Sequence, residues 1–292
     1  MKKTEPAAAI AVIGGSGLYQ MKAISKTREI RVKTPFGAPS GPILLGELGG
    51  IACAFLPRHG RGHVLTPGEI NGRANIYALK VLGVQRIIAV TAVGSLKEEL
   101  APRHFVFPDQ LVDRTRHRVS TFFGEGVVAH VSLADPFCAA MSQTLYETAK
   151  NLGIIAHRGG AYICMEGPQF STRAESDFHR KMGYSIIGMT AAPEAKLARE
   201  AEICYSCVAL VTDYDCWKEG EEVSSQKVIE NLLANVDSAQ KLIAASIGSI
   251  AAVPRRCPCA SALAGAIFTA PKSVDRKTAK KLAPLIGKYL KP

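Results

Sequence analysis

Residues 203–217 read Ile-Cys-Tyr-Ser-Cys-Val-Ala-Leu-Val-Thr-Asp-Tyr-Asp-Cys-Trp. A run this rich in apolar and β-branched residues fits a strand buried on both faces, which requires a sheet covered on both sides. It stops abruptly at two carboxylates, Asp213 and Asp215. In open α/β sheets, ligands sit at the carboxyl ends of the strands. Carboxylates without a basic neighbour in sequence only accept hydrogen bonds, so they suit a ligand offering N–H donors, an aminopurine being one. The competing reading is that both acids cap the next helix.

The rest of the chain repeats one unit: strand, polar or glycine loop, helix. Strands are expected at 9–13, 51–56, 86–90, 162–165 and 185–189. Helices are expected at 75–82, 141–152 and 194–202, with a long one-faced helix at 228–250. Gly83 and Gly153 close the first two. Ser171 or Thr172 caps a further helix. This pattern predicts a single α/β domain around a central mixed β-sheet flanked by helices, occupying 1–253. Residues 254–292 differ in texture and read as a C-terminal extension packed on or appended to that domain, with a basic helix ending or kinking near Pro284.

With 292 residues the chain can bury a large core. Its net charge, 36 − 25 = +11, favours anionic ligands. The basic residues are dispersed and not interleaved with aromatics, so nucleic acid is not an expected partner. No apolar run approaches membrane-spanning length, and the short run at 7–12 reads as a first strand and not a signal peptide, so a cytoplasmic protein is expected. The eight cysteines form no paired C-x-x-C array, so no metal is expected. Cys204 and Cys207 lie three apart in a strand and point to opposite faces.

Several loops at strand ends carry anion-binding chemistry. Gly14-Gly15-Ser16-Gly17 fails the dinucleotide pattern, because Gln20 stands where a glycine is needed, and it fails the Walker pattern as well. Its amides and hydroxyl still suit an anion, or a plain tight turn. Arg58-His59-Gly60-Arg61-Gly62-His63 supplies guanidiniums and imidazoles; guanidinium geometry matches phosphate oxygens, the alternative being a solvated basic loop. Thr91-Ala92-Val93-Gly94-Ser95 and Thr190 add hydroxyls and close backbone approach. Phe170 either stacks on a flat base or staples the following helix. Met189 either fills a core gap or lies against a ligand.

These segments, together with Thr34-Pro35-Phe36-Gly37, Arg73-Ala74-Asn75-Ile76, Glu166-Gly167-Pro168-Gln169-Phe170-Ser171 and Pro193-Glu194, occur in an order that resembles the purine nucleoside phosphorylase superfamily. Within it, the branch acting on 5′-methylthioadenosine is the most similar. The resemblance runs from about residue 10 to about residue 250. It implies phosphorolysis without metal or organic cofactor: inorganic phosphate is a co-substrate that attacks C1′ of the ribose and releases adenine. It further implies that Ser16, Arg58, His59, Thr91, Thr190 and the Ala92 amide hold phosphate. Met189 would pack on the ribose and Phe170 on the base. Asp213 would assist the leaving purine at N7, and Asp215 would read the 6-amino group. His130 would reach a neighbouring subunit's 5′ pocket in a homotrimer or homohexamer, and Val228 would line the methylthio pocket.

Two departures stand out. Ser16 replaces a frequent Thr, and the region after Val253 matches poorly. Relatives from heat-loving archaea carry a C-terminal Cys-x-Cys and internal disulfides, so the resemblance makes Cys138, Cys204, Cys207, Cys257 and Cys259 disulfide candidates. The rival readings are a phosphorylase preferring 6-oxopurine nucleosides, where Asn usually stands at the position of Asp213, and a nucleotide-binding module without turnover.

Overall fold

The computed structural model describes residues 7–221 and 224–290; the side chains of Ser16, Tyr19 and Ser225 lie outside that description. Its strands are β1 (Ile10–Gly14), β2 (Ser25–Ile30), β3 (Ile43–Leu48), β4 (Ile51–Pro57), β5 (Arg86–Ser95), β6 (Phe105–Phe107), β7 (Gln110–Asp113), β8 (Ala156–Arg158), β9 (Ala161–Cys164), β10 (Ile186–Gly188) and β11 (Cys204–Asp213). The helices are α1 (Ser16–Tyr19), α2 (Gly72–Val81), α3 (Ala139–Asn151), α4 (Arg173–Lys181), α5 (Ala191–Glu200), α6 (Ser225–Ala252) and α7 (Arg276–Ile286). None is long and apolar enough to cross a membrane.

All the strands join one mixed sheet whose spine is the parallel pair β5 and β11. β1 lies parallel on the other side of β5 and is followed by β4, β3 and β2. Beyond Val93 the tip of β5 turns to a new neighbour, pairing antiparallel with β10, which leads to β9 and β7. β6 and β8 extend from the far side of β11. A register shift between Val211 and Asp213 breaks the ladder where β11 ends, a bulge of the kind that re-aims a side chain beside a site.

Every residue of β11 before Asp213 is buried, as the apolar run requires. Tyr205, Cys207, Ala209 and Val211 join one core layer with α2 and α5, while Cys204, Val208 and Leu210 join the other with α3 and α6. Strand alternation thus separates Cys204 from Cys207. Each buried Val, Leu or Ile in these layers contributes about 1.5–3 kcal/mol.

The helix caps rule out the capping reading of the two aspartates. α6 is capped by Ser224, whose side chain accepts from the Lys227 amide, so neither aspartate caps it. Thr172 caps α4 in a reciprocal box with Glu175. The C-terminal segment packs on the same core: Leu263, Leu282, Leu285 and Ile286 are buried with residues of α2 and α5. Pro284 lies inside α7, which continues two residues past it.

Candidate active site

The carboxyl ends of β1, β4, β5, β10 and β11 open into one cleft of about 1190 Å³, closed on its outer side by α6. Arg58, His59, Thr91, Ala92, Phe170, Met189, Thr190, Asp213, Asp215 and Val228 all line it. Gly15 and Gly17 also line it, but the Ser16 side chain between them lies outside the described residues. His130 stands apart: it is exposed and packs edge-on against Phe268, itself 70% exposed, with ring centroids 5.0 Å apart.

At one end the groups are cationic and hydroxylic. Arg58 follows β4 and is 3% exposed. Its Nε and Nη2 donate to the two carboxylate oxygens of Glu194 at 2.5 and 3.0 Å, and its Nη1 donates to the Val90 carbonyl at 2.7 Å. Burial disfavours the guanidinium's charge, but Glu194 more than offsets this and raises the Arg58 pKa. Tyr205, held protonated by burial and by Glu194, donates to the same carboxylate at 2.9 Å. Three of the five Arg58 N–H groups are thereby fixed and two stay available to a ligand.

His59, the next residue, is half-buried. Burial pulls its pKa down to about 4, against the opposing bond to Leu65, so the ring is neutral at neutral pH. Its Nδ1 lies 2.9 Å from the Leu65 carbonyl. A carbonyl only accepts, so the proton sits on Nδ1 and Nε2 presents a lone pair. The ring is suited to accept a hydrogen bond from an O–H at Nε2 rather than to donate one there.

Thr91 and Thr190 bring their hydroxyls within 3.3 Å of each other. Thr190 is the N-cap residue of α5, yet its side chain makes no capping bond. The hydroxyl is therefore not spent on capping the ten-residue helix, and it lies at the end where the helix dipole favours an anion.

The opposite end is acidic. Asp213 Oδ1 accepts from the Asp215 amide at 2.8 Å and Oδ2 from the Thr212 hydroxyl at 2.7 Å. Burial, assisted by Asp215, raises the Asp213 pKa against these two bonds. Asp215 is 4% exposed and has φ of 52°, a left-handed conformation that Asp tolerates better than most residues. Burial raises its pKa too, opposed by the Ser176 and Ser171 hydroxyls. Its Oδ2 is buried without a hydrogen-bond partner. A carboxylate oxygen so placed costs free energy unless a donor arrives. Gly94 makes room for the pair: a Cβ there would stand 2.9 Å from Asp213 Oδ1.

Between the ends, the Met189 side chain packs over Gly167, where a Cβ would come within 2.5 Å of its sulfur. Phe170 stands at the cleft mouth, 47% exposed, and is not a staple on α4. On α6, Val228, Leu232 and Val236 form an apolar wall. Sequence reasoning assigned no role to Glu194 and Tyr205, which hold Arg58, or to Arg118. Arg118 donates to the carbonyls of Glu166 and Met189 and pairs with the Glu166 carboxylate at 3.1 Å, tying two cleft segments together. A glutamate directly after proline in an otherwise apolar helix start was the one available signal for Glu194.

Comparison with known proteins agrees with this geometry. Residues 9–248 match the model of the phosphorylase superfamily. The S-methyl-5′-thioadenosine phosphorylase of Geobacter sulfurreducens is 55% identical over 283 residues, spanning 96% of this chain and 99% of the relative. That of Hyperthermus butylicus is 51% identical over 262 residues, spanning 89% and 95%. A methylthioadenosine phosphorylase from an antarctic soil metagenomic library superposes with a TM-score of 0.93 at 51% identity, covering 96% of this chain and 99% of the other. The Schistosoma mansoni methylthioadenosine phosphorylase in complex with adenine gives 0.81 at 38% identity, covering 85% and 93%. The strand-end cleft and these matches lead to one conclusion: the chain belongs to the phosphorylase superfamily.

Proposed function

We propose that the chain catalyses phosphorolysis of S-methyl-5′-thioadenosine to adenine and 5-methylthioribose 1-phosphate. The observation that carries this reading is the pairing, across one cleft, of an anion-binding end with the unpartnered Asp215 oxygen beside the half-buried Asp213. Phosphate bound by Arg58, Thr91, Thr190, the Ala92 amide and the α5 N-terminus lies beneath the sugar. Ser16 joins them by resemblance. Neutral His59 offers its Nε2 lone pair to a phosphate O–H as a hydrogen-bond acceptor, and a phosphate oxygen is the nucleophile. As the C1′–N9 bond breaks, its electron pair moves into the purine, and the phosphate stabilises positive charge on the ribose. Asp213 supports the leaving base at N7 by donating a proton or hydrogen bond. Asp215 Oδ2 accepts from the 6-amino group, with Phe170 on the base and Met189 on the ribose.

The apolar wall of Val228, Leu232 and Val236 suits a methylthio group better than a hydroxyl. A 5′-hydroxyl left unpaired there costs about 1–3 kcal/mol. Adenine release followed in the ultraviolet is therefore expected to require phosphate, with kcat/KM for methylthioadenosine roughly 10-fold or more above adenosine and inosine lowest. Absence of phosphate-dependent release from all three nucleosides would leave only a binding role.

The exposed His130–Phe268 pair supports a shared site in which His130 enters a neighbouring subunit's cleft, in a trimer or a dimer of trimers. Light scattering on the purified chain is expected to give a multiple of three; a monomer would remove this part of the reading.

A further inference from the structure

Four of the eight cysteines come from three distant parts of the chain and meet at the end of β11 remote from the acids. Cys138 is the N-cap residue of α3, Cys204 opens β11, and Cys257 and Cys259 flank the proline that starts a 3₁₀ turn, Pro258–Ser261. Their sulfur atoms all lie within 4.8 Å of one another, and those of Cys204 and Cys257 are 3.3 Å apart. Cys138, Cys204 and Cys259 are buried and Cys257 is partly so. All eight cysteines are unbridged, and Cys207 belongs to the opposite core layer.

We propose that Cys138, Cys204, Cys257 and Cys259 form a structural tetrathiolate site for a soft divalent cation, zinc. Zinc–sulfur bonds of about 2.3 Å place the corners of a tetrahedral site roughly 3.8 Å apart, a spacing reached here by small side-chain rotations. The sulfurs converge as one group of four, and the Cys-Pro-Cys pair directs two of them to one point from a rigid turn.

The surroundings supply the charge that such a site needs. Four thiolates around a divalent cation carry a net charge of −2. The Arg255 guanidinium lies beside Cys204, and its Nε is buried without a hydrogen-bond partner. Cys138 offers its sulfur at the positive end of α3, where it makes no capping bond. Two disulfides would be neutral and would leave the Arg255 N–H unanswered. Binding moves no electrons: each thiol that ligates releases its proton to solvent.

The absence of a C-x-x-C array hid this site, because its ligands are 66, 53 and 2 residues apart (138 to 204, 204 to 257, 257 to 259). Its position also sets its role. Nine residue steps along β11, roughly 30 Å, separate Cys204 from Asp213, so the metal clamps the C-terminal segment to β11 and α3 and takes no part in chemistry.

The test uses the full chain, purified without chelator from zinc-supplemented cells. Elemental analysis is expected to give one zinc per chain, retained by Cys53→Ala and lost from Cys257→Ser/Cys259→Ser. That double variant should keep its kcat at 25 °C while its thermal midpoint falls by roughly 5–10 °C. Cobalt substitution of the wild-type chain should give the sulfur-to-cobalt charge-transfer bands of tetrahedral tetrathiolate coordination, a readout that does not depend on any variant folding. The proposal is overturned if the chain carries no stoichiometric metal and all eight thiols titrate on denaturation. It is equally overturned if four thiols are missing and the mass is lower by four hydrogens, which would mean two disulfides.

Discussion

Asp213→Ala is expected to lower kcat/KM for methylthioadenosine about 10³-fold, the usual scale for removing a general acid, with little change in the KM for phosphate. The side chain stands at the end of β11, opposite Gly94 in the register, and both carboxylate oxygens already accept a bond. Burial raises its pKa, so the reactive protonated form persists to higher pH than an ordinary carboxyl allows. It is lost as pH rises through that raised value. The pH profile of kcat/KM should therefore show an alkaline limb that Asp213→Asn lacks. The same shift bears on stability with the same sign: the folded chain holds this proton more tightly than the unfolded one, so the contribution declines as pH climbs from the ordinary carboxylate range through the folded value. An amide at 213 can donate as well as accept, which suits a purine with a 6-oxo group. Asp213→Asn should thus shift preference from methylthioadenosine toward inosine, and an unchanged ratio would refute the role assigned to Asp213.

That residue was legible because its strand is buried on both faces, which leaves an uninterrupted apolar signature ending at a polar break. The same logic exposed the strand ends carrying Arg58, Thr91 and Thr190. It failed where the physics is different. β2 reads Ser-Lys-Thr-Arg-Glu-Ile and lies on an exposed edge, so no buried face prints a pattern on it. β3 is interrupted by Gly46, required because a Cβ would meet Ile24 at 2.5 Å. β6 and β8 have three residues each, too few for any period. Glu194 and the cysteine cluster were hidden for another reason. Their partners lie 136 residues away for Glu194 and 53 and 66 away for the thiols, and only tertiary structure brings such groups together. The tautomer of His59 depends on one carbonyl six residues on, a contact that no residue pattern encodes.

Glu194→Gln should have the second large effect, acting on stability and phosphate binding together. Both members of the Arg58–Glu194 pair are 3% exposed at the side chain. Removing the charge from one partner of a buried pair costs about 3–5 kcal/mol, because the other charge is left uncompensated. For a chain of this size that corresponds to a midpoint lowered by roughly 6–12 °C. Tyr205 loses an ionised acceptor at the same time, and Arg58 loses the fork that aims its two spare N–H groups at the cleft. The KM for phosphate should therefore rise about 10-fold or more, the scale of one charge-assisted bond, while the KM for the nucleoside changes far less. Phosphate is itself an anion able to neutralise Arg58. Saturating phosphate should accordingly raise the midpoint of Glu194→Gln more than it raises that of the parent chain. If the midpoint, the phosphate KM and the phosphate-induced shift all match the parent, Glu194 is not what holds Arg58 in place.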